Sequence, residues 1–128
     1  MFYMQELIQF IRHNMVFIII SAFVLWRVYR FFKSKKEVEK ILNSNDYQLV
    51  DVRSEGEFLS FSIPNSVNIP IDRLASDYEK LDKNKSVIVY CASGGRSAMA
   101  KLHLQRLGFK NVVNAGGVHA LSRILQRR

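Results

Sequence analysis

Hydrophobic and polar positions divide this chain into two regimes. From Met15 to Trp26 there is no charge, and apolar residues occupy every face of a helix. From Ser34 onward, apolar residues recur in short runs between polar turns. Val38, Ile41 and Leu42 give one apolar face on a short helix that ends near the turn cluster Asn43-Ser44-Asn45-Asp46. Residues 48–53 read as a strand, 55–60 as a helical turn, and 66–69 as a short strand closed by Pro70. Asp72 is a candidate N-cap for a helix through about Lys80. Residues 86–90 form the most apolar strand. The helix expected over 97–107 carries Ala100, Leu104 and Leu107 on one stripe, with Gly108 as its stop. A strand over 112–114, a loop at Gly116-Gly117 and a helix over 118–126 complete the pattern. Alternating strands and helices predict an α/β fold, a doubly wound parallel sheet with helices on both faces.

The apolar stretch alone is short for a membrane. Extended through Val28, Tyr29, Phe31 and Phe32 it spans Asn14–Phe32, about 28 Å of helix against a hydrocarbon core of roughly 30 Å. Arg27 and Arg30 then lie near one membrane face, where long side chains snorkel, and Trp26 and Tyr29 suit an interfacial belt. Nothing after Trp26 resembles a signal-peptide cleavage site, and residues 15–26 lack the polar face of an interfacial helix. The reading is a transmembrane helix within an anchor and basic flank at 1–33, followed by a globular domain at 34–128. Arg27, Arg30, Lys33, Lys35 and Lys36 flank its C-terminal end, and Arg12 precedes it. The positive-inside rule therefore puts the domain on the cytoplasmic side of the inner membrane.

The net charge of +8 changes this picture little. Residues 1–36 carry six Lys/Arg and one Glu, so the basic excess is concentrated at the anchor. No basic stripe interleaved with aromatics supports nucleic-acid binding. The single cysteine excludes an internal disulfide, and three scattered histidines beside it do not make a metal site.

That cysteine, Cys91, carries the candidate chemistry. It stands at the end of the most apolar strand, before Ala92-Ser93-Gly94-Gly95-Arg96-Ser97. A thiol between a strand end and a helix start sits where backbone N–H groups converge, which favours anions and thiolates. In parallel sheets ligands bind beyond the carboxyl ends of the strands.

From about Glu37 to Leu121 the chain resembles the single-domain rhodaneses, the thiosulfate-type sulfurtransferases. The resemblance rests on Leu49-Val50-Asp51-Val52-Arg53 with Glu57-Phe58, on Ile63-Pro64-Asn65-Ser66-Val67-Asn68-Ile69-Pro70, and on Val89 through Ser97. It continues in Leu107-Gly108-Phe109 and Gly116-Gly117-Val118. The N-terminal anchor is similar to that of small membrane-tethered bacterial members. Two positions depart from the usual pattern: Ser62 replaces a histidine, and Leu121 replaces a tryptophan at the mouth of the site or in the core.

The resemblance implies a Cys91 persulfide formed from a small anionic sulfur donor such as thiosulfate. Its terminal sulfur passes to a thiol, a protein acceptor or cyanide, with no cofactor. Four residues separate Cys91 from Arg96, against five in the related phosphatase loop, so the loop suits a sulfur atom better than a phosphoryl group. Loop N–H groups and the following helix are expected to bring the thiol from about 8.5 into the range of roughly 3.5–7.5. Gly94 and Gly95 are expected to supply positive φ. Arg96 either binds the donor or holds loop carbonyls, and Ser93 and Ser97 offer hydroxyls. Asp51 is expected to order loops at a strand end, and Arg53 to pair with Glu57. The alternatives are a rhodanese-fold module that tethers a partner at the membrane, and a small phosphatase.

Overall fold

The computed structural model describes residues 1–128, which form two compact units, Met1–Lys33 and Ser34–Arg128. The first unit is helical throughout and belongs to α1 (Phe2–Ser44). Its apolar side chains are exposed, Phe17 at 71% and Ile19 at 61%. Helix α1 is long and apolar enough to cross a membrane. The short helix expected around Val38–Leu42 is not separate: it is the last part of α1. No glycine or proline occurs before Ser44, so the change from apolar to charged residues alters the helix's surroundings without breaking its hydrogen bonds.

The second unit is a four-stranded parallel sheet in the order β2-β1-β3-β4. Its strands are β1 (Tyr47–Asp51), β2 (Ser66–Asn68), β3 (Ser86–Cys91) and β4 (Val112–Gly117). The helices are α2 (Glu55–Ser60), α3 (Leu74–Asp77), α4 (Gly95–Arg106) and α5 (Val118–Gln126). Period-two alternation along β3 sends Val87, Val89 and Cys91 to one face and Ile88 and Tyr90 to the other. The first set packs with Val50, Ile69, Leu74, Ala100 and Leu104. The second packs with Val38, Leu42, Leu49, Val113 and Leu121. Burying each such Leu, Ile or Val stabilises the fold by about 1.5–3 kcal/mol. The central strand is therefore fixed on both faces, and its carboxyl end is held where the site requires it.

Three local expectations change. The 72–80 helix is broken into a 3-10 turn at Ile71–Arg73, the short α3, and a second 3-10 turn at Tyr78–Lys80. Pro70, not Asp72, stands at its N-cap position. Strand β4 runs through Gly116 and Gly117, which were expected to be a loop. Leu121 is fully buried and belongs to the core, not to a wall of the site. Gly108 ends α4 as expected. At φ +95° it lets its own N–H reach Gln105 O (3.2 Å) and the Phe109 N–H reach Leu104 O (3.1 Å), the paired bonds of a Schellman cap.

Candidate active site

Strand β3 ends at Cys91 and α4 begins at Gly95, so only Ala92, Ser93 and Gly94 connect them. Gly94 makes this turn at φ +101°, a left-handed conformation that L side chains resist. A Cβ on Gly94 would lie 3.3 Å from Gly116 Cα, and one on Gly117 would lie 2.6 Å from Ala92 O. The two glycine segments thus press backbone against backbone beside the cysteine. Gly95 does not share the positive φ expected of it and is simply the first residue of α4.

The fold turns the loop donors toward the Cys91 sulfur. The Gly94 N–H donates to Sγ at 2.9 Å, and Ser97 Oγ lies 3.3 Å from it. Cys91 is 1% exposed. Burial opposes its ionisation, yet the Ser97 hydroxyl and the N–H groups of Ser97, Gly94 and Ser93 outweigh it, and the thiol pKa lies below its ordinary value. Ser93 thus acts through its N–H, while its side chain is on an exposed residue. Ala92 is exposed beside it.

The Arg96 guanidinium is engaged by a carboxylate. Its Nη1 and Nη2 bind Glu57 Oε1 and Oε2 at 2.7 and 3.0 Å, a bidentate pair. Glu57 is placed by the start of α2, where Ser54 and Glu57 form a reciprocal capping box. The Arg96 bonds, helped by Ser54, hold the Glu57 carboxyl at a pKa of about 2.

The expected Arg53–Glu57 pair is therefore absent. Arg53 instead meets Asp51, two residues back on the same strand end, with Nη2 2.7 Å from Oδ2. Asp51 Oδ1 also accepts the Arg53 N–H at 2.9 Å. Asp51 is fully buried and Arg53 6% exposed, so the pair is enclosed and its remaining donors are used locally. Arg53 Nη2 donates to Phe61 O at 2.5 Å and its guanidinium lies over the Tyr90 ring. Asp51 O accepts from Ile69 N and Asn68 Nδ2.

One residue of the site escaped the sequence reading. Asn114 on β4 accepts the Ser97 hydroxyl at 2.7 Å and the Gly116 N–H at 2.8 Å, and donates to Gly94 O at 3.2 Å. Asn followed two residues later by a glycine is a weak sequence signal of such a side-chain-to-backbone bond. Nearby, the Phe61 and His119 rings stack with centroids 5.5 Å apart, which gives His119 a packing partner.

The rhodanese-like domain family matches residues 34–123. The chain belongs to the rhodanese family. A sulfurtransferase of Allochromatium vinosum is 30% identical over 86 residues, covering 66% of this chain and 80% of that protein. The thiosulfate sulfurtransferase GlpE of Coxiella burnetii is 32% identical over 84 residues, covering 66% of this chain and 78% of its own. Among solved structures, the rhodanese-like domain protein of Staphylococcus aureus superposes with a TM-score of 0.58 at 34% identity. That match covers 68% of this chain and 85% of the Staphylococcus aureus chain. The parallel sheet with helices on both faces is the rhodanese fold these neighbours share.

Proposed function

We propose that this rhodanese is a sulfurtransferase that carries a sulfane sulfur on Cys91, tethered to the membrane by α1 with its domain on the cytoplasmic side. The observation that supports this most is the enclosed Cys91 sulfur, its pKa lowered beside the Gly94 N–H and the Ser97 hydroxyl. In the first step the Cys91 thiolate attacks the outer sulfur of a donor such as thiosulfate. The donor S–S bond breaks, its electron pair leaves on sulfite, and a Cys91 persulfide remains. In the second step an acceptor thiolate attacks the terminal sulfur and Cys91 leaves as the thiolate. Neither step calls for a cofactor, and the lowered pKa of Cys91 favours the thiolate both as nucleophile and as leaving group without a separate general base.

The loop donors act on both halves of the cycle. They lower the cost of the thiolate before attack and restore it as a good leaving group afterwards. Glu57 takes up the Arg96 guanidinium, which leaves the loop N–H groups and the positive end of α4 to attract an arriving anion. The Asp51–Arg53 pair has a supporting role, holding the segment that leads to Phe61. The basic residues after the apolar stretch of α1 support a cytoplasmic orientation.

Intact-mass spectrometry of the detergent-solubilised full chain, before and after thiosulfate, tests the reading. A gain of about 32 Da, one sulfur, is expected on the parent protein, absent from Cys91→Ser and reversed by a thiol. Folded protein with a free Cys91 that gains no sulfur from thiosulfate or other sulfane donors would overturn it, favouring a binding module.

A further inference from the structure

The side-chain amide of Asn114 can take only one orientation. Its Nδ2 must face the Gly94 carbonyl, which only accepts, and its Oδ1 must face the Gly116 N–H, which only donates. The atom 2.7 Å from Ser97 Oγ is therefore an acceptor, and the Ser97 hydrogen points at it. Ser97 has one hydroxyl hydrogen and two neighbours that can take it, Asn114 Oδ1 and Cys91 Sγ. While Cys91 is a thiol, its S–H faces a free lone pair on Ser97 and all three groups are satisfied. Once Cys91 is a thiolate, the sulfur gains from a second donor beside the Gly94 N–H, and Ser97 can supply one only by turning away from Asn114. Asn114 Oδ1 then still holds the Gly116 N–H and is not orphaned.

We propose that Asn114 is a positioning residue for Cys91: it competes with the sulfur for the Ser97 hydroxyl hydrogen, so that loss of the thiol proton and rotation of that hydroxyl occur together. The thiol proton leaves to solvent, and no other bond changes. The competition is local. The charged or titratable groups on the surrounding elements include Arg96 of α4, Glu57 of α2, Asp51 and Arg53 at the end of β1, Tyr90 of β3 and His119 of α5, with Lys101, His103 and Arg106 further along α4 and Arg123 further along α5. Arg96 and Glu57 are satisfied by one another, as are Asp51 and Arg53. Tyr90 bonds Ser66 and Ile63, and His119 stacks on Phe61. Ser34 fixes the position from the main-chain side, its hydroxyl donating to Asn114 O at 2.7 Å.

This inference rests on Cys91 being the reacting group, and its test reads the thiol itself, independent of sulfur transfer. The rate of Cys91 alkylation by iodoacetamide is followed against pH on the full chain in detergent. Asn114→Leu frees the hydroxyl for the sulfur and is expected to lower the ionisation midpoint. Asn114→Asp keeps the acceptor, strengthens it with a charge, and is expected to raise the midpoint by about one pH unit, a tenfold loss of thiolate below it. In a Ser97→Ala background the Asn114→Leu shift is expected to vanish. A residue that merely held the loop together would raise the midpoint in both variants. That result, or a leucine shift that persists without Ser97, overturns the proposal. If Asn114→Leu does not fold, an unmoved midpoint in Asn114→Asp overturns it alone.

Discussion

Two carboxylate–arginine pairs flank the loop, and they differ in almost everything except their chemistry. Asp51–Arg53 joins residues two apart on one strand end, with side-chain exposures of 0% and 7%. Glu57–Arg96 joins helices α2 and α4 across 39 residues of sequence, with exposures of 37% and 39%. In the first pair, solvent cannot replace a missing partner, so the pair is kept intact by the cost of breaking it. In the second, water compensates most of a lost bond, and what remains is control over where the Arg96 charge points. The buried pair thus secures a backbone, whereas the half-exposed pair sets the electrostatics of a mouth.

Substitutions separate these roles, and the largest effect belongs to the buried pair. Asp51→Ala strands the Arg53 guanidinium and is expected to destabilise the domain by about 3–5 kcal/mol, read as a fall in the urea midpoint of the full chain in detergent. A loss below about 1 kcal/mol would make the two pairs alike. Glu57→Gln can keep the capping box, so its expected cost is within about 1 kcal/mol. Its signature lies elsewhere: Arg96 is released from its counter-charge and the Cys91 alkylation midpoint moves down. An unmoved midpoint would show that Arg96 does not act on the sulfur.

The smallest effect is the acid response. Glu57 has a folded pKa of about 2, below the ordinary value of about 4.3. A depressed carboxylate stabilises the folded state above its unfolded pKa and loses that contribution as pH falls through the folded one. The stability difference between parent and Glu57→Gln is therefore expected to be constant above about pH 5 and to shrink between about pH 4 and pH 2. A difference that does not change over that range would show that the pair contributes nothing to folding.

The apolar run Val87-Ile88-Val89-Tyr90 before Cys91 revealed the central strand because burial on both faces leaves no polar position to confuse the pattern. In the stretch from Cys91 to Arg96 the turn at Gly94 was legible, since it depends on local glycine chemistry, whereas the helical Gly95 and the partner of Arg96 were not. Partner choice in general was not legible. Arg53 and Glu57 are four apart in sequence and invite pairing, but β1 ends at Asp51 and the Arg53 side chain turns back onto that buried carboxylate. Arg96 lay too far along the chain for its bond to Glu57 to be inferred without the sheet order. Asn114 was invisible for the same reason: its role exists only where β4 passes beside α4. The continuity of α1 was available in the absence of any helix breaker, but the abrupt change in polarity at Lys33 was more conspicuous.

The enclosure of Cys91 also selects its clientele. A sulfur with a lowered pKa is more open to oxidants and electrophiles, and at 1% exposure little of it lies within their reach. If Cys91 is the reacting group, girth would count before affinity, and a thiol brought by a large partner would be expected to reach the sulfur on an extended segment.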